Sequence, residues 1–139
     1  MLIYHKEITN KSNMRQEEIV NEIIKKCGNA EIIPSMGWHF MYNERNLFYI
    51  TGKDDGIIRF CIPHLVKADE YESAQLSEAI NDTNRSVKFI KVIRLDCGSV
   101  SLNYDYKTSS DETAEAIVSH IITALDFASA YLLNRLERK

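Results

Sequence analysis

The chain predicts an α+β domain: an antiparallel five-stranded sheet with helices packed on it, in the order α-β-β-β-α-β-β-α. Three observations carry that prediction. Between Gly37 and Leu65 lie three short aromatic and β-branched runs, separated by Asn-Glu-Arg-Asn and Gly-Lys-Asp-Asp-Gly; this is how a three-strand meander reads. From Val87 to Tyr106 a second alternating stretch folds back on itself at Cys97-Gly98. Before, between and after these stretches, apolar residues recur three and four apart, as on one face of a helix.

A length of 139 residues, 45% hydrophobic and 27% charged, fits a single domain over 1–139, with 1–11 as a lead-in and 12–137 as the globular core. The net charge of −3 and a pI near 5.8 argue against nucleic acid, because binding phosphates takes a clustered basic face. Lys and Arg are instead dispersed among the acids. The first residues lack the long apolar core of a signal peptide, and no run reaches membrane-spanning length. No membrane association is therefore expected. Cys27, Cys61 and Cys97 are odd in number and widely spaced, as expected of reduced thiols in a cytoplasmic protein.

Taken in order, Ser12 to Cys27 reads as a helix with Asn13 and Gln16 at capping-box spacing. Ile19, Val20, Ile23, Ile24 and Cys27 form its stripe, and Gly28 its stop. Ala30 to Ser35 is an extended lead-in, kept out of a central strand by Pro34. In the meander, a three-residue loop at Glu44, Arg45 and Asn46 sets Tyr42 against Phe48 and Phe40 against Ile50. A five-residue loop from Gly52 to Gly56 then pairs Ile50 with Ile58 and Phe48 with Phe60. This register gathers Trp38, Phe40, Tyr42, Phe48, Ile50, Ile58, Phe60 and Ile62 on one inner face.

Asp69 and Glu72 are the expected cap of a middle helix running to about Asn84. Cys97-Gly98, read as a two-residue turn, sets Leu95 against Val100, Ile93 against Leu102 and Phe89 against Tyr106. Ser109 and Glu112 are a capping box for a long final helix with Ile117, Val118, Ile121, Ile122, Leu125, Ala128, Leu132 and Leu136 inward. The expected core is thus Trp38, Phe40, Phe48, Ile50, Ile58, Phe60, Ile93, Leu102, Ile117, Ile121 and Leu125.

No residue pattern spells out chemistry. The four histidines, His5, His39, His64 and His120, and the three cysteines are nowhere at metal-ligand spacing, so no metal or other cofactor is expected. Cys61 with His39 or His64 lacks an orienting acid or an oxyanion motif. Asp54-Asp55-Gly56 reads as turn chemistry without the further ligands of a calcium loop. Asn81 and Asn84 read as helix cap and strand tie. The outer sheet face is the informative part. In the register above, Met41 lies beside Tyr49 and Tyr49 beside Arg59, with Leu47 beside Cys61 and with Ile57, Ile90 and Val92 on the same face. That mixture is too apolar for a solvated surface and too charged for a core.

Trp38-x-Phe40-x-Tyr42, Phe48-x-Ile50, Asn81-x-x-Asn84 and the final-helix aromatics Phe127 and Tyr131 resemble the YbjN-like branch of the type III secretion chaperone-like fold. The resemblance spans about residues 13 to 136; Thr83 departs from it, where an apolar residue is usual. It implies an antiparallel sheet, a homodimer, and a noncatalytic role in binding a polypeptide partner. No catalytic residues come with it. The expectation is a cytoplasmic, chaperone-like binding module, not an enzyme, whose partners are a second copy and a protein or peptide client. The alternative is a regulatory domain binding a small molecule between sheet and helix. Met41, Tyr49, Arg59 and Ile90 are the expected protein-binding face, and Tyr71, Ala74 and Ala79 the expected dimer contacts.

Overall fold

Gly28 stops the first helix. Its backbone is left-handed (φ 83°) and its N–H donates to the Ile24 carbonyl at 2.7 Å, a helix ending that glycine adopts without strain. A computed structural model describes residues 2–51, 56–107 and 111–137, with backbone alone for 2–14. In it α1 spans Leu2–Cys27. The lead-in is therefore helical from residue 2, and Asn13 and Gln16 lie within the helix and not at its cap. A run of Lys, Arg, Glu and Gln propagates a helix through such positions.

Six strands follow, not five: β1 (Glu31–Ile33), β2 (Gly37–Tyr42), β3 (Arg45–Ile50), β4 (Ile57–Lys67), β5 (Lys91–Arg94) and β6 (Ser99–Lys107). They form one antiparallel sheet in the order β1-β2-β3-β4-β6-β5. The added strand is the segment before Pro34, which sits at the edge where a following proline does least harm. A 3-10 turn (Ala68–Glu70) and α2 (Ser73–Ser86) join β4 to β5, and α3 (Ala114–Glu137) closes the chain.

All three hairpins depart from the expected register; between β3 and β4, Ile50 faces Arg59 and not Ile58, and Phe60 faces Tyr49 and not Phe48. Asn43 and Glu44 alone form the first loop, both with positive φ (49° and 64°), the conformation of a two-residue primed turn. Tyr42 therefore faces Arg45, Phe40 faces Leu47 and Trp38 faces Tyr49. The shift is by an odd number of residues, so β3 turns over: Leu47 and Tyr49 point inward, and Phe48 and Ile50 point outward. In the last hairpin the loop is Asp96-Cys97-Gly98, with Gly98 in the left-handed position (φ 92°) and Leu95 N–H donating to the Ser99 carbonyl at 2.7 Å. Val92, not Ile93, then faces Leu102. Ile93 lies outward and is 39% exposed.

Neither expected cap of α2 forms: Glu72 occupies the N-cap position without a side-chain bond, and Asp69 belongs to the 3-10 turn. Thr113 caps α3, its Oγ1 accepting the Ala116 N–H at 3.1 Å, while the Glu112 carboxylate is taken by the Tyr106 hydroxyl. Ser109, Asp54 and Asp55 fall outside the described residues.

All three helices pack on one side of the sheet. Ile19, Ile23, Leu76, Ile117, Ile121 and Leu125, all fully buried, meet Phe40, Leu47, Ile58, Phe60, Leu102 and Tyr104 in one continuous core. Each such aliphatic or aromatic side chain contributes about 1.5–3 kcal/mol by leaving water. By length and composition α3 is the one helix among the described residues that is long and apolar enough to cross a membrane. Its apolar stripe faces this core.

Candidate functional site

The sheet face away from the helices carries no described element. Its rows follow from the register. Ile33, Gly37, Ile50, Arg59 and Asp105 form one row; Glu31, His39, Phe48, Cys61, Asn103 and Lys91 form the next; Met41, Asn46, Ser101 and Ile93 belong to the third. The β2–β4 half holds Met41, Phe48 and Ile50 beside His39, Asn46 and Arg59, and the β6–β5 half is polar apart from Ile93. His39 is tilted against Phe48 with ring centroids 5.0 Å apart, and its Nε2 lies 2.7 Å from Asn46 Oδ1. Arg59 Nε lies 3.9 Å from Asp105.

Of the four residues expected to form a binding face, Met41 and Arg59 are on this surface. Tyr49 and Ile90 are not. Both are buried, at 6% exposed, because the turned-over β3 places Tyr49 on the helix side, stacked on Phe60 at 5.2 Å. Burial pushes the Tyr49 hydroxyl up to about 12, against the lowering charge of Arg15. Phe48 and Ile50, expected in the core, take its place outside. Trp38 is half-buried on the helix side. Of the expected dimer contacts, Ala79 is buried in the core, Tyr71 is half-buried and Ala74 is exposed.

Cys61 sits in the middle of the outer face, yet burial and then the Asp105 charge push its thiol up to about 11. It therefore stays protonated near neutral pH and offers no thiolate. His39 and His64 are engaged elsewhere, His64 Nδ1 with Ser99 Oγ at 2.8 Å. Among the described residues no group of three or more His, Cys, Asp or Glu is placed to hold a metal ion.

At two places along the margins of the sheet an asparagine side chain takes the part of a missing strand. The Asn84 amide donates to the Val92 carbonyl at 3.0 Å and accepts the Val92 N–H at 2.8 Å, tying α2 to β5 as its position suggested. Asn29 does the same at the other end, where Met41 N–H donates to Asn29 Oδ1 at 3.0 Å and Asn29 Nδ2 to the Met41 carbonyl at 3.4 Å. Asn29 lies opposite Met41 in the register that β1 and β2 already follow. Both side chains act as a one-residue strand, and capped edges resist unwanted pairing.

At the junction of β5 and β6 the aromatic side chains gather. Tyr104 donates or accepts at His120 Nε2 over 2.7 Å, and Phe89 rests on Tyr104 (6.1 Å) and His120 (5.7 Å). Phe89 is 68% exposed and has a left-handed backbone (φ 73°), an uncommon state for a bulky residue. On the outer side it lines a groove with Arg59, Lys91, Ile93, Asn103 and Asp105. Nothing in the sequence signalled Phe89 or Asn29; positive φ at Phe leaves no compositional mark.

No family model matches the chain, and no curated protein matches it. A solved structure does. The crystal structure of an uncharacterized protein from Methanothermobacter thermautotrophicus is similar to it over 88% of this chain and 96% of that one, with a TM-score of 0.58 and 13% identity. The two share a fold. At that identity the likeness carries nothing about activity.

Proposed function

We propose that this chain is a noncatalytic, cytoplasmic protein-binding module with a chaperone-like role, of the YbjN-like kind that its aromatic and asparagine spacing resembles, and that it works as a homodimer. The observation that carries this reading is the one-sided sheet: six strands with every helix on one face, and Met41, Phe48, Ile50 and Ile93 on the other. An apolar patch with charged residues beside it is the kind of surface on which another protein binds. Met41 adapts to varied shapes because its side chain is unbranched and flexible. Phe48 offers a flat ring, and Arg59 and Lys91 supply charge at the rim. The binding face is thus redrawn as Met41, Phe48, Ile50 and Arg59.

The test is a pull-down from the source cell with the double variant Met41→Lys and Phe48→Lys. Folding is expected to persist and partner capture to be lost. Capture undiminished in a folded double variant would remove the face from the reading. For the homodimer, sedimentation at micromolar concentration should give a species of twice 16.0 kDa. A monomer across a wide concentration range would end that half of the proposal.

A further inference from the structure

One stretch of strand edge is left open inside the sheet. β5 pairs with β6 only from Lys91, opposite Asn103, to Arg94, opposite Val100. β6 continues to Lys107, paired with β4 along its whole length. From Tyr104 to Lys107 the lane that β5 would occupy holds no strand among the described residues. The direction of the main-chain groups there follows from Asn84. It bonds Val92 from outside the sheet, so Lys91 and Ile93 turn their groups toward β6. Because successive residues alternate edges, Asn103, Asp105 and Lys107 turn theirs toward β5. Asp105 and Lys107 thus present N–H and C=O groups into the empty lane.

Phe89 explains why the lane is empty. Two residues before Lys91, an extended Phe89 would fill the place opposite Asp105; its left-handed backbone instead takes the chain out of the ladder. The ring lies against Tyr104 and His120 beside the lane, and on the outer face it borders the groove lined by Arg59, Lys91, Ile93, Asn103 and Asp105. The lane is blocked at one end, because β5 takes it up at Lys91. A segment pairing antiparallel to β6, as every strand here does with its neighbours, runs toward Lys91 and must turn or stop there. Lys91 is exposed and has no ion pair or hydrogen bond among the described residues; nor has Lys107 beyond its ladder pairing. Asp105, the acid that lines the groove, faces Arg59 at 3.9 Å.

We infer that this lane binds the free C-terminal end of an extended polypeptide, added as a short strand on β6 with its carboxylate at Lys91. The inference rests on the reading of the chain as a protein-binding module and names the segment bound. Opposite Lys107 the segment carries an acid. Opposite Tyr106 it carries an apolar or aromatic residue, which meets the Phe89, Tyr106 and His120 rings. Opposite Asp105 its last residue carries a hydroxyl that donates to the carboxylate. Pairing on a strand edge with capture of a chain end combines two known modes of peptide recognition. At about 3.3 Å per residue, the carboxylate lies within reach of the long Lys91 side chain.

The experiment is an NMR titration of the labelled chain with acetyl-Ser-Gly-Glu-Phe-Thr, once with a free carboxylate and once as the C-terminal amide. With the free acid, the Asp105 and Lys107 amide signals should move, and the amidated peptide should bind about fivefold more weakly, the scale of one solvent-exposed charge pair. Lys91→Ala, at an exposed position, should bring the free acid down to the affinity of the amide and leave the amide where it was. Equal affinity for the two peptides overturns the inference, as does silence at Asp105 and Lys107 at millimolar peptide. Shifts confined to Met41, Phe48 and Ile50 overturn it while leaving the outer-face reading standing. Movement of the same two amides with protein concentration alone, abolished by Lys107→Glu, would assign the lane to a second copy and overturn it too. Conversely, edge shifts that persist in the Met41→Lys, Phe48→Lys variant uphold the lane even if the face fails.

Discussion

The two faces of the sheet are built from similar residues and put to different ends. On the helix side Phe40, Phe60, Leu102 and Tyr104 are at most 2% exposed and pack ring on ring, Phe40 against Phe60 at 5.8 Å and Tyr49 against Phe60 at 5.2 Å. On the other side Phe48, Ile50, Met41 and Ile93 keep part of their surface in water, mixed with His39, Arg59, Asp105 and Lys91. Composition alone does not separate the faces. What separates them is whether a helix reaches across, and α1, α2 and α3 all reach the same way. Apolar side chains in a sheet therefore report a core only where something covers them.

The largest effect expected is on the covered face. Phe60→Ala removes a ring at the centre of the core and should cost about 3–5 kcal/mol in urea melts. Phe48→Ala, on the neighbouring strand but the open side, should cost about 1 kcal/mol or less, as surface changes do. Equal losses would break the contrast between faces. Next in size, Asn84→Ala strips Val92 of both partners and should cost about 1–2 kcal/mol, with faster hydrogen exchange at Val92 as the local sign. Asn29→Ala, at the exposed opposite edge, should cost less, about 0.5–1 kcal/mol. The smallest change concerns chemistry. With its thiol held up at about 11, Cys61 should react with a thiol reagent at neutral pH more slowly than exposed Cys97, whose thiol is held below its ordinary value by hydrogen bonds from Ser99. Faster labelling at Cys61 would mean that the outer face is more open to water than its neighbours allow.

Much of this architecture was legible in the chain. The apolar stripes of the helices, Ile19 and Ile23, Leu76 and Ile80, and Ile117 through Leu136, are buried as their spacing required, because a helix has one period and a long stripe averages over errors; Ile24, expected in the first stripe, lies at its margin and is 42% exposed. The three meander runs and β6 were legible from their alternation, whereas β1 read only as an extended lead-in and β5 starts at Lys91 and not at Val87. Register was not legible, since it hangs on a single loop residue. Asn43-Glu44 carries no glycine, so nothing marked Glu44 as left-handed. Cys97-Gly98 looked like a complete turn, though Gly98 is the third residue of a longer one. The first loop turned β3 over, moving Tyr49 inward, the shift between β3 and β4 returned β4 to its expected face, and the last loop turned β5 over, moving Ile93 outward. Arg59 and Met41 survived as surface residues because β2 and β4 kept their faces.

The asparagines at the two edges have a chemical lifetime. An amide can both give and take a hydrogen bond; the carboxylate left by its slow hydrolysis can only accept. After deamidation at position 84, an oxygen would face the Val92 carbonyl with no proton between them. At position 29 the same would happen at Met41. Ageing of either side chain would turn a closed edge into one that repels its own cap and is free to seek another strand. A stored sample would be expected to lose its protection against self-association at these two residues first.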